Sequence, residues 1–173
     1  MPNTDPRQAI IERLFPVSGK QGRGGFGAKR ETLRFLKKRS SGRRMIQAIS
    51  FETASGRKTK MVCYLLQNVR GEWVFSGAAG GEGEQGGPLH DRPSVNIGGG
   101  GWPDYFFAGG NVIEQGYKIG RVRLVMGNGI VLEDSVEDGL VLFVTEEVVK
   151  LPIRAELYDE AGTLVESHGV LNV

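Results

Sequence analysis

The sequence predicts an all-β fold, a sandwich of antiparallel sheets preceded by a short N-terminal helix and interrupted by a long glycine-rich insertion. Three observations carry this expectation. Apolar runs recur at roughly the 8–12-residue spacing of sandwich strands. Glycine turns such as Gly127-Asn128-Gly129 and Asp159-Glu160-Ala161-Gly162 separate them. Helical periodicity is absent between the runs, which excludes alternating strand–helix units. At 173 residues the chain fits one domain. Its expected divisions are 1–44 (helix, glycine-rich loop and basic segment), 45–76 (strands), 77–110 (insertion) and 111–173 (strands).

The elements follow in order. Asp5-Pro6-Arg7-Gln8 reads as a helix start. Asp5 caps the first amides, Pro6 suits the first helical position, and Gln8 is placed to reach back to the cap's own amide. Ile10, Ile11, Leu14 and Phe15 form the apolar face, and Pro16 ends the helix. Residues 18–27 are too rich in glycine for regular structure and read as a loop. Residues 31–39 fit strand or helix, whereas 45–51 and 60–67 read as a hairpin about the turn Ala54-Ser55-Gly56. The run from Met61 to Leu66 is apolar on both faces, as in a central strand covered on two sides. Cys63 sits within it as core filler. A strand over 72–76 follows.

From 77 to 110 the pattern dissolves: 12 of 34 residues are glycine, and the stretch reads as a loop. Trp102, Tyr105, Phe106 and Phe107 within it are too apolar to leave in water and are expected to pack down. Beyond it, Val122, Leu124 and Met126 alternate with Arg121 and Arg123 and turn at Gly127-Asn128-Gly129 into a returning strand at 130–132. Val136-Glu137-Asp138-Gly139 leads to the run 140–144. Ile153, Ala155 and Leu157 alternate with Arg154, Glu156 and Tyr158 before a last strand over 163–171.

Residues Gly120-Arg121-Val122, Asp138-Gly139, Pro152-Ile153 and Leu157-Tyr158-Asp159-Glu160-Ala161-Gly162 together resemble the end of immunoglobulin-like β-sandwich domains of uncharacterised bacterial proteins. The resemblance covers roughly the last third of the chain and implies the sandwich fold, without a function. The Cys…Trp…Cys framework of antibody-type domains is missing, since Cys63 is the one cysteine.

Charge is divided unevenly. Residues 1–70 hold 16 Lys and Arg against 4 Asp and Glu, whereas residues 71–173 hold 6 against 16. Either the two parts dock on each other, or the first is a basic surface for an anionic partner. The second reading rests on Arg23, Lys29, Arg30, Arg34, Lys37, Lys38, Arg39, Arg43 and Arg44, and on the Arg-Gly-Gly-Phe element Arg23 to Phe26. Flexible arginine–glycine chains contact phosphates and stack on bases. Gly22 to Gly27 also matches G-x-G-x-x-G and resembles the kinase glycine loop, but His90-Asp91-Arg92 is no catalytic loop and no D-F-G follows. Ala28-Lys29-Arg30 likewise replaces the Gly-Lys-Ser/Thr of a phosphate loop.

The first-ranked expectation is a non-catalytic interaction or ligand-binding module. Its site would lie where the insertion meets the sheets, with Trp102 and Tyr105 as stacking groups and His90 and Arg92 as polar contacts. Polyanion or nucleic-acid binding through the basic segment comes second. A metal-dependent hydrolase using His90, Glu82, Glu84, Asp91 and Asp104 comes third, though these acids lack calcium-loop spacing. No cofactor and no metal is expected, and a thiolate zinc site is excluded by the single cysteine. His168 is expected to be a partly buried ring with a hydrogen-bond partner. Met1 to Asp5 has no secretory pattern and no apolar run approaches the ~20 residues of a membrane span, and a cytoplasmic location is the expectation. Self-association through strand edges is a further expectation.

Overall fold

The computed structural model describes residues 4–16, 27–82, 91–101 and 105–171. Among them the fold is mostly β, with eleven antiparallel strands in three sheets and one short α-helix. The chain divides into two compact units, Met1–Glu84 and Gln85–Val173.

The first unit is a β-meander carrying the helix. In α1 (Pro6–Leu14), the Asp5 carboxylate accepts from the Arg7 amide at 2.9 Å and Pro6 opens the first turn. Gln8 does not close a capping box: its side chain donates to Glu12 at 3.2 Å, one turn onward on the same face. Ile10 and Leu14 are fully buried, and such side chains contribute about 1.5–3 kcal/mol each by leaving water. That anchorage sustains a helix too short to persist alone. After a 3₁₀ turn (Arg30–Thr32) come β1 (Arg34–Ser41), β2 (Arg44–Glu52), β3 (Lys58–Gln67) and β4 (Trp73–Glu82), paired in sequence order. One face of this sheet presents Ile49, Phe51, Met61, Cys63 and Leu65 to α1. Residues of the other face, Ile46, Ala48, Val62 and Tyr64, are buried too, as the two-faced run at 61–66 predicts for the central strand β3.

The second unit has two sheets facing each other across a core. One holds β5 (Ser94–Gly100), β6 (Phe106–Ile113) and β9 (Leu140–Thr145), in that order. The other runs β11 (Leu164–Leu171), β10 (Ile153–Asp159), β7 (Ile119–Met126), β8 (Val131–Ser135). Val122, Leu124 and Met126 of β7 and Ile153, Ala155 and Leu157 of β10 point inward. They meet Val95, Phe106, Ala108, Val141 and Phe143 of the other sheet. The alternation read from sequence therefore sets the faces correctly, and Arg121 and Arg123 lie on the outer side, where Tyr158 stacks against both.

The stretch 77–110 departs from expectation. Instead of a loop it supplies most of β4, β5 and the start of β6, and the boundary between the units falls within it. Gly80, Gly99 and Gly110 are strand residues at places of close backbone approach. A Cβ on Gly99 would collide with the Phe107 carbonyl, one on Gly110 with the Asn96 carbonyl, and one on Gly80 would stand 2.5 Å from the Lys60 carbonyl. Glycine at such points lets neighbouring backbones close up. Phe106 and Phe107 pack down as their size demands.

Candidate anion-binding surface

The basic run at 34–44 forms the outermost strand of the meander and the turn that follows it. Six of these eleven residues are Lys or Arg, and none is acidic. Among the described residues β1 pairs only with β2, and its register shifts between Phe35 and Lys38, so two residues oppose one. Gln47, 2% exposed, holds this bulge: its amide nitrogen donates to the Leu36 carbonyl at 2.9 Å, with the Lys37 carbonyl at 3.2 Å. The same nitrogen lies 2.9 Å from the Ala48 carbonyl. A buried glutamine thus shapes the strand that bears the cations.

Arg34, Lys38 and Arg43 are exposed, while Lys37, Arg39 and Arg44 are half-buried. Arg34 donates to the carbonyls of Glu31 and Leu33, and Arg39 to that of Lys38, contacts that fix direction without neutralising charge. Arg44 lies 3.3 Å from the hydroxyl of buried Tyr64. Lys29 pairs with Glu52 at 3.9 Å, a half-exposed pair contributing at most about 1 kcal/mol. Arg30 covers the Phe15 ring at 5.7 Å, as Arg7 covers Phe35 at 5.2 Å and Arg13 covers Phe75 at 5.8 Å. In all three it is the guanidinium itself that lies over the ring face, a cation–π contact. Arg23 lies outside the described residues.

The meander adds cations that sequence reasoning did not enlist. Arg34 is level with Ser50, and Ser50 with Lys60, so Arg34 and Lys60 stand in one row across three strands. Arg57 and Lys58 lie at the same end of the sheet. At the other end the Gln67 amide donates to the Arg43 carbonyl at 2.7 Å, bringing together the turns that hold Arg43 and Arg70. Hairpin register was the signal that would have found Lys60, since both of its strands were already assigned.

The first-ranked candidate set is not gathered into one place by what is described. His90 and Trp102 lie outside the described residues. Arg92 precedes β5 and pairs with Glu166 at 3.0 Å. Tyr105 precedes β6, where its ring stacks on Phe107 with centroids 6.4 Å apart. Ser94 pairs with Ile113 and Gly100 with Phe107, so Arg92 and Tyr105 stand at opposite ends of this hairpin. Seven residues of strand at ~3.3 Å each put roughly 20 Å between those ends.

Burial pushes the Cys63 thiol up to about 12, which keeps it protonated and fits the core-filler reading. Of the acids considered for a metal, Glu84 and Asp104 lie outside the described residues. Among the described residues no group of three or more His, Cys, Asp or Glu could hold a metal ion, and no helix is long and apolar enough to cross a membrane. The chain matches no protein-family model, no curated protein and no solved structure.

Proposed function

We propose that this chain is a polyanion-binding protein, with its first unit the binding surface and the phosphodiester backbone of single-stranded nucleic acid the partner. The segregation of charge by unit carries the reading. Residues 1–84 hold 16 Lys and Arg against 7 Asp and Glu, a formal +9, whereas residues 85–173 hold 6 against 13, a formal −7. Within the first unit the cations concentrate on β1, its following turn and both ends of the sheet. Protection of an exposed strand edge is the competing explanation, since lysines and bulges blunt edges against wrong pairing. One or two inserted charges meet that need; six cations in eleven residues with no acid go beyond it. The proposal falls within the wider expectation of an interaction module. For the second unit, the three-and-four division of seven strands supports an immunoglobulin-like reading. In the antibody constant-type arrangement the fourth strand joins the first sheet, whereas β8 pairs with β7.

The test is charge reversal at the three exposed positions, Arg34→Glu, Lys38→Glu and Arg43→Glu together, on the full chain. These side chains take no part in the core, so circular dichroism and thermal midpoint serve as folding controls. Anisotropy of a labelled single strand at low salt should report at least a tenfold weaker affinity, about 1.4 kcal/mol. Unchanged affinity in a folded variant would sink the assignment.

A further inference from the structure

The two sheets of the second unit leave two open sides, each bordered by one edge strand from either sheet: β11 with β5, and β8 with β9. On both sides an inward-pointing titratable side chain crosses to the opposite sheet and accepts a backbone N–H. Asp134 of β8 is level with fully buried Val122 and accepts from the Leu142 amide of β9 at 2.8 Å. His168 of β11 is level with fully buried Ala155, and its Nε2 accepts from the Val95 amide of β5 at 3.2 Å. The other ring nitrogen, Nδ1, lies 3.1 Å from the Gly169 carbonyl. That carbonyl can only accept, so the tautomer that satisfies both contacts carries its proton on Nδ1.

We infer that His168 is a proton-operated latch that ties β5 to β11 when neutral and releases it on protonation. An imidazolium has no lone pair for the Val95 amide; it presents an N–H to an N–H, and acceptance becomes repulsion. A carboxyl group such as that of Asp134 keeps an oxygen able to accept whether or not it carries a proton, so the two sides respond differently. The charged groups around His168 are few among the described residues. Glu166 shares its side of β11 and pairs with Arg92, from the segment entering β5, at 3.0 Å. On β10, Arg154 and Glu156 flank Ala155 and therefore project to the other side of the sheet. Glu166, paired with Arg92, is thus an anion on the histidine's own side of β11. The opened side would uncover the outer edge of β5, and a strand edge is a place where another strand can pair.

Amide hydrogen exchange of the full chain, followed residue by residue by NMR between about pH 7.5 and 5.5 and corrected for intrinsic rates, tests this. Protection at Val95 should fall about 3–10-fold across the range, the effect of one lost hydrogen bond, while protection at Leu142 stays constant. His168→Gln, whose side-chain oxygen accepts at any pH, should make Val95 protection flat. Constant protection at Val95 in the unaltered chain would overturn the latch. A parallel fall at Leu142, or an equal fall in His168→Gln, would overturn it as well.

Discussion

Replacing Asp134 by leucine tests what its cross-sheet hydrogen bond to Leu142 contributes to the second unit. Asp134 is 6% exposed and its carboxylate accepts the Leu142 amide at 2.8 Å, a bond made within the buried interior. Leucine repeats the branching of the carboxylate with bulkier methyl groups, so no cavity opens, but the Leu142 N–H loses its acceptor. A buried donor left without a partner costs about 1–3 kcal/mol. The unit spans 89 residues, Gln85–Val173. For a domain of that size each kcal/mol lowers the melting temperature by about 4–8 °C, so a central loss of about 2 kcal/mol predicts a drop of about 8–16 °C in its calorimetric transition. Asp134→Asn keeps a carbonyl oxygen able to accept and should lose less than half as much. Equal losses for the two variants, or a drop under about 2 °C for Asp134→Leu, would refute the reasoning, because the hydrogen bond would then not be what matters there.

Other outcomes follow from the same structure. Gly110→Ala drives a Cβ into the Asn96 carbonyl and should cost at least the 1–3 kcal/mol of an overpacked core, read as a lower urea midpoint. Gly129→Ala meets no atom within 4 Å but sits at φ +86°, so its cost should be only the ~1–2 kcal/mol of the left-handed conformation. Cys63 should stay unmodified by a thiol reagent in the native protein at mildly alkaline pH and react fully once denatured; rapid native labelling would contradict its place in the core. The Ser167 amide and then Arg92 hold the Glu166 carboxyl below the usual carboxylate range. Its stabilising effect is therefore present above the unfolded carboxyl's pKa and lost as pH falls through the folded one. Glu166→Gln should flatten that acid limb of the stability curve, and an unchanged limb would show that the pairing contributes nothing.

How far the sequence could be read depends on what its side chains do. The strands of the last third were legible because Val122, Leu124, Met126, Ile153, Ala155 and Leu157 alternate with charge, and each proves to face the core. The central position of β3 was legible because apolar residues fill both of its faces. The continuation of β4 beyond Ser76, together with β5 and β6, was hidden because a strand rich in glycine has no alternation to display; what marks Gly99 and Gly110 is the nearness of another strand's carbonyl, a tertiary fact. The basic segment was visible as composition, but its form as an edge strand depends on the bulge held by Gln47, and Lys60 joins it only through the register of two hairpins. Deleting residues 1–44 to probe this segment is not a clean experiment, because it removes Ile10 and Leu14 from the core along with the cations. Arg92 and Tyr105 look like neighbours in the sequence, yet pairing sends them to opposite ends of a hairpin.

The most direct measurement is the salt dependence of single-stranded nucleic-acid binding by the full, unaltered chain. If the basic meander neutralises phosphates, the logarithm of the affinity should fall linearly with the logarithm of salt, with a slope of about −0.7 for each contact. Four to six contacts from β1 and the sheet ends would give a slope near −3 to −4. Absence of binding at low salt, or binding with a slope near zero, would contradict the account.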